Sequence, residues 1–269
     1  MTTETLDPEE LTDEYMNDGF EYAASERDLE QQDAYERLLD TTEIGPKGFR
    51  ENPIMVACMD ERARPADGRP VIGIAGSGVL MSDAQRRVAL DKMEAAGIDL
   101  RDLIVTDHEN CGACELYCQD HPEVTPDEAA EESAVRLAAM SDTVKPIESI
   151  GWSEQADLSA RGHEGSHHAR VIYIDFTGRF NPVAAELPDG FLISAAYSPD
   201  NGYLQTEVKI AQEIAIGGHG RGPDYFKENG PLVLAVIAED AAAAAAALGE
   251  SVDHRAEVTR TLFIKPNLR

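Results

Sequence analysis

The sequence predicts an α/β fold, a mainly parallel sheet flanked by helices, and three observations point to it. Short apolar runs such as "PIMVACM", "VIGIAG", "DLIVTD" and "PLVLAVIA" lack a strict period of two, as strands buried on both faces do. Capped segments with helical spacing, such as "SDAQRRVALDKMEAAG", lie between them. The two kinds alternate along the chain, which is the pattern of parallel strands joined by crossover helices.

Taken in order, residues 1–45 are acidic and polar, with helical stretches near "DPEELTDEYM" and "SERDLEQQDAYERLLDTT" opened by Asp7-Pro8 and Ser25. They hold too few apolar residues to fold alone, and read as an arm packed on the body or on a partner subunit. "NPIMVACMDE" is the first buried strand, "RARPADGRP" a loop, and "VIGIAGSGVL" a second strand running into glycines. Ser82 caps the next helix and Gly97 closes it. "DLIVTDHEN" is a third strand, and "CGACELYCQD" begins another helix.

Residues 119–169 are mostly polar, with a helix at "TPDEAAEESAVRLAAMSD" and a solvated loop at "GHEGSHHA", which carries His163, His167 and His168. "ARVIYIDFTGRFNPV" reads as strand, turn and strand, bending at Thr177-Gly178. Strand "GFLISAAYS", helix "TEVKIAQEIAI", strand "PLVLAVIAED", an alanine-rich helix and strand "VTRTLFIKP" complete the alternation. "GGHGRG", 217–222, follows a helix instead of opening one, so it is a stop and turn and not a phosphate loop. The chain thus divides into an acidic helical arm (1–45), a central domain (46–187) and a C-terminal α/β extension (188–269). The extension is either part of the same sheet or a degenerate repeat. "GFRENPIMVACMDERA" faintly echoes "YFKENGPLVLAVIAEDA", which we read as a chance match of two strand entries.

Composition excludes several function classes. A formal charge of −28, from 23 basic and 51 acidic residues, repels nucleic acid and anionic lipid. No apolar run approaches the roughly 18 residues of a membrane span. The acidic start has neither the basic nor the apolar region of a signal peptide, so the cytoplasm is the expected compartment. The acid excess suits either a salt-loving host or an ordinary acidic cytoplasmic protein. The cysteines, Cys58, Cys111, Cys114 and Cys118, are too few and too clustered for a secreted disulfide scaffold, and point to metal or redox work.

Cys58 lies near the end of the first strand, His108 near the end of the third, and Cys111 at the start of a helix. The carboxyl ends of neighbouring parallel strands converge on one crevice. That would assemble a Cys2His set able to hold zinc with a fourth position open, the arrangement of catalytic sites. Asp60 and Arg62 follow Cys58 at alternate positions, so on extended chain the three side chains share a side. Cys111, Cys114 and Cys118 share a helix face; Cys111-Gly-Ala-Cys114 is a possible redox pair, but core packing is the preferred reading of Cys114 and Cys118.

"CMDER" fits C-x-D-x-R and "HENC" fits H-x-x-C, fifty residues apart. With the intervening "VIGIAGSGVLMSDAQRRVALDKMEAAGIDLRDLIVTDHENCGAC" and the later "VIYIDFTGRF", residues 45–185 resemble the β-class carbonic anhydrases. The resemblance implies zinc (Zn2+) held by Cys58, His108 and Cys111, with Asp60 and Arg62 as a dyad beside the fourth position. Asp60 is then either an acceptor in an open site or a ligand that closes it. The implied reaction is hydration of carbon dioxide by zinc-bound hydroxide to bicarbonate and a proton, with zinc lowering the pKa of water to about 7. A homodimer or higher homo-oligomer is implied as well. The chain departs from the family where "GIAG" puts Gly73 and Ile74 at positions usually Arg and Asn, and where Asp107, expected to be a buried acid, precedes His108. Two alternatives stay open: hydrolysis of carbon disulfide or carbonyl sulfide at the same site, and a catalytically silent zinc-binding protein of assembly or regulation.

Overall fold

The computed structural model describes residues 31–49, 55–61, 63, 70–108, 111–141, 148–150, 167, 169–217 and 220–269. Two parallel sheets lie edge to edge. The first runs β3 (Val71–Gly73), β2 (Met55–Ala57), β4 (Ile104–His108) and β5 (Glu148–Ile150). The second runs β7 (Phe191–Ile193), β6 (Val171–Asp175), β8 (Leu232–Ile237) and β9 (Thr259–Pro266), and β1 (Glu43–Ile44) is added outside β9. Every ladder is parallel. The α/β class expected from the apolar runs is therefore the observed one.

With β1 set aside, both sheets have the same connectivity. The first strand of each pairs with the second on one side and the third on the other, and the fourth pairs with the third. By this equivalence β2 answers to β6, and β4 to β8. The sequence echo matched β2 with β8, which hold different places, so it does not follow the topology.

Helices cover both faces, as doubly buried strands require. Helix α1 (residues 31–39) sits on the second sheet through Tyr35 and Leu38, and the Tyr35 hydroxyl donates to the Pro231 carbonyl at 2.5 Å. The arm's earlier stretches, 1–30, lie outside the described residues. On the first sheet, α2 (Asp83–Ala95) and α4 (Pro126–Met140) each open on a capping box, Ser82 with Gln85 and Thr125 with Glu128. Gly97 ends α2 in the left-handed region at φ +86°, where glycine carries no Cβ strain. The short α3 (Gly112–Asp120) precedes α4. In the second half, α5 (Asn201–Ile216) follows β7, α6 (Gly222–Asn229) precedes β8, and α7 (Ala241–Leu248) is the alanine run, buried through Ala244 and Leu248. Gly217 caps α5, and α6 begins five residues later, as a stop and turn would have it.

Three local expectations change. β5 is an extra strand in the polar stretch 119–169, paired with Thr106–His108. The second strand after Thr177-Gly178 does not form. Instead the Asp175 carboxylate accepts from the Thr177 and Phe180 amides and pulls the chain into a tight loop, leaving one antiparallel bridge between Phe49 and Phe180. Asp107 is half-buried on the strand side opposite His108, so it does not reach the imidazole's side of the sheet.

The two sheets meet at their edge strands. Ser194 N–H donates to the Gly73 carbonyl (2.9 Å), Gly73 N–H to the Ser194 hydroxyl (3.0 Å), and Leu192 N–H to the Met59 carbonyl (2.9 Å). A Cβ on Gly73 would stand 1.8 Å from the Leu192 carbonyl oxygen. Glycine is required at position 73 by this backbone approach. Ile74 turns into the core under α2.

Candidate metal centre

The site lies at the carboxyl end of β2 and β4, against the second half of the chain. Cys58 follows the last residue of β2, His108 ends β4, and Cys111 is the N-cap of α3. The three are 2%, 4% and 1% exposed, and residues up to 53 positions apart in sequence converge on one buried point. One donor atom from each lies within 4.8 Å of the others.

The two Sγ atoms stand 3.7 Å apart, far beyond a disulfide of about 2.05 Å. Two thiolates sharing a tetrahedral metal at about 2.3 Å would be separated by roughly 3.8 Å. The donor set therefore fits zinc in spacing and in softness. Burial pushes the Cys58 thiol well above its ordinary range, with Cys111 adding and the nearby His108 opposing. The Cys111 thiol is likewise raised, foremost by its hydrogen bond with Cys114. Without a cation both sulfurs keep their protons. A divalent cation supplies the charge that burial withholds, and its binding would release them. The Gly76 amide donates to Cys58 Sγ at 3.2 Å, and the opening of α3 at Cys111 favours negative charge there.

Gly76 and Ser77, both at φ +50°, form the tight turn after β3 that brings this amide in. The turn is pinned by Ser77 Oγ donating to the Thr106 carbonyl, Ser133 Oγ to the Ser77 carbonyl, and Arg86 to the Gly78 carbonyl. Cys114 is fully buried against it: a Cβ on Gly76 would lie 3.1 Å from Cys114 Sγ. Cys118 is half-buried one turn on. Cys114 lies in the hydrophobic core and Cys118 packs against it.

A second buried group adjoins the first. The chain bends at residues 59–61 instead of continuing as strand, so alternation ends and Asp60 and Glu61 both turn inward. Asp60 Oδ2 lies 3.9 Å from His108 Nε2, and Asp60 Oδ1 lies 3.7 Å from His167 Nδ1. Glu61 Oε2 is 3.2 Å from the same Nδ1, a hydrogen bond in which the imidazole donates to the carboxylate. Asp60, Glu61 and His167 also form a set that could hold a metal ion.

His167 corrects an expectation. It is 3% exposed, with its ring stacked on Phe191 at 5.4 Å between centroids, and not part of a solvated loop. No sequence signal marks it, because its burial depends on β7 packing against the first sheet. Glu61 carries no sequence signal for the same kind of reason, the bend that replaces the strand. Arg62, His163 and His168 lie outside the described residues.

The second half supplies another wall. Glu207 of α5 is buried and accepts from the Ala75 amide at 2.7 Å, beside the Tyr203 hydroxyl, which forms no regular hydrogen bond with it. Burial raises the Glu207 carboxyl to about 8, against the Ala75 amide and Tyr203. The corresponding crevice of the second sheet is different. Register and caps place Asp175, Ala238 and Asp240 where the first has Cys58, His108 and Cys111. It opens as a cavity of about 410 Å³ lined by Thr177, Arg179 and Glu239 among others, with no thiol or imidazole. Only the first crevice carries a soft donor set among the described residues.

Among the described residues no helix is long and apolar enough to cross a membrane. No protein-family model, curated protein or solved structure matches the chain.

Proposed function

We propose that the chain is a zinc enzyme of the β-carbonic anhydrase type, which adds water to carbon dioxide to give bicarbonate and a proton. The observation that carries this reading is the convergence of Cys58, His108 and Cys111 at the carboxyl ends of two parallel strands, with Asp60 facing the same point. The two motifs, C-x-D-x-R and H-x-x-C, supply those residues in the family's order and spacing.

Cys58, His108 and Cys111 would hold the zinc ion. When bound, zinc supplies the Lewis acidity that makes a water nucleophilic near neutral pH. The remaining work falls to the chain. Asp60 presents a carboxylate oxygen beside the donor group, where it can accept a hydrogen bond from the reacting water and orient its lone pair. The water oxygen forms a bond to the carbon of carbon dioxide, one C=O π pair moves onto oxygen, and the water proton leaves to buffer. Burial of the donors excludes bulk water, and within one chain that enclosure uses Phe191 and α5 of the second half. The Gly76 amide disperses charge on Cys58, keeping the thiolate a metal ligand.

No observation favours carbon disulfide or carbonyl sulfide as substrate, since Gly73 of "GIAG" has a packing role. Stopped-flow hydration of carbon dioxide on protein of measured zinc content tests the proposal. About one zinc per chain with hydration is expected. Zinc-loaded protein that leaves carbon dioxide hydration at the uncatalysed rate over neutral and alkaline pH would refute it, and would favour a silent zinc-binding role.

A further inference from the structure

His167 is the buried group beside the metal centre that neither motif accounts for. It enters from the second half of the chain, just before β6, and reaches the carboxyl end of β2. Its ring is held on one face by Phe191. On its Nε2 side it meets the start of α3, where a Cβ on Gly112 would lie 3.9 Å away. Nδ1 faces two carboxylates, bonded to Glu61 Oε2 at 3.2 Å and 3.7 Å from Asp60 Oδ1. The other oxygen of Asp60 faces His108 at 3.9 Å.

We propose that His167 is a positioning residue for Asp60: anchored by Glu61 and Phe191, it holds Oδ1 so that Oδ2 keeps facing the metal-binding group. This rests on the reading of Cys58, His108 and Cys111 as zinc ligands. The terminal torsion of an aspartate is broad, so a carboxylate is not oriented by its rotamer alone. Two adjacent buried carboxylates also repel each other unless a donor stands between them. The imidazole meets both needs, because its Nδ1 edge bonds Glu61 and stands 3.7 Å from Asp60 Oδ1 while its ring stacks on Phe191. Partners of this kind commonly tune metal sites from beyond the ligands. A residue of the second half then contributes to the orientation of Asp60.

Three substitutions separate hydrogen bonding from packing. His167→Asn keeps a donor near the Nδ1 position, His167→Phe keeps a ring on Phe191 without a donor, and His167→Ala removes both. Zinc content, kcat and KM for carbon dioxide, and the visible spectrum of cobalt-substituted protein would be measured for each. We expect one metal per chain throughout, near wild-type kcat for His167→Asn, and kcat lower by about tenfold or more with KM little changed for the other two. The cobalt band, which reports the oxygen ligands at the metal, should match wild type in His167→Asn and differ in His167→Phe. A wild-type-like His167→Phe with an impaired His167→Asn would overturn the proposal in favour of ring packing. So would three variants indistinguishable from wild type. Two metals in wild type falling to one in His167→Ala would overturn it in favour of a second cation site. If metal-loaded wild type does not hydrate carbon dioxide, the enzymatic reading fails separately, and the cobalt band still decides the position of Asp60.

Discussion

A side chain on Gly73 would drive its Cβ to 1.8 Å from the Leu192 carbonyl oxygen, so the two half-sheets can meet only because position 73 is bare. The obstacle is backbone, which cannot rotate aside. Gly73→Ala should therefore cost about 3 kcal/mol or more. Chemical denaturation would read this as a lower midpoint. A variant as stable as wild type would mean that the edges do not meet as described.

Cys111 and Cys114 sit one helical turn apart but should behave differently. Cys111→Ala is expected to abolish zinc binding, because it removes one of three donors. Cys114→Ala should keep about one zinc per chain and lose about 1 kcal/mol of packing. Metal analysis after exhaustive dialysis distinguishes them, and equal losses in both would show that Cys114 is a ligand.

Asp60→Asn keeps shape and buried volume but removes the carboxylate charge facing His108. We expect kcat for hydration to fall by about 10- to 100-fold with zinc retained. Unchanged turnover would remove Asp60 from the proposed mechanism.

Glu207 gives the protein a pH-dependent stability. Its carboxyl titrates near the ordinary 4.5 when unfolded and at about 8 when folded. Between those values the folded state holds a proton that the unfolded state has released, so stability falls as pH rises, by about 1.4 kcal/mol per unit at most. Glu207→Gln removes that dependence. The variant should match wild type near pH 4.5 and exceed it by a few kcal/mol, as an order of magnitude, above about pH 8. Thermal melts across this range check it, and a constant difference at all pH values would contradict it.

Much of the fold was legible because its cues are local. Apolar runs mark β2, β4, β6 and β8, and the Ser82 and Thr125 capping boxes mark the starts of α2 and α4. β5 was not legible, since it lies in a stretch where no apolar run announces a strand. The zinc-donor candidates could be named because strand ends and a helix start locate them within their own elements. His167, Glu61 and Glu207 could not. Their burial comes from a bend after β2 and from contacts between halves of the chain, and neither leaves a periodic trace.

By itself the sequence determined the parallel α/β class and singled out Cys58, His108 and Cys111 as candidate donors, which the fold brings together. Strand burial and ligand chemistry act through residue types and short spacings, which can be read along a chain. Only the tertiary structure decided that Asp60 lies between two histidines, that Gly73 is a point of backbone contact, and that the second half walls the site. Those relations join residues from 48 to 132 positions apart in sequence, and side-chain packing between separate elements is what brings them together.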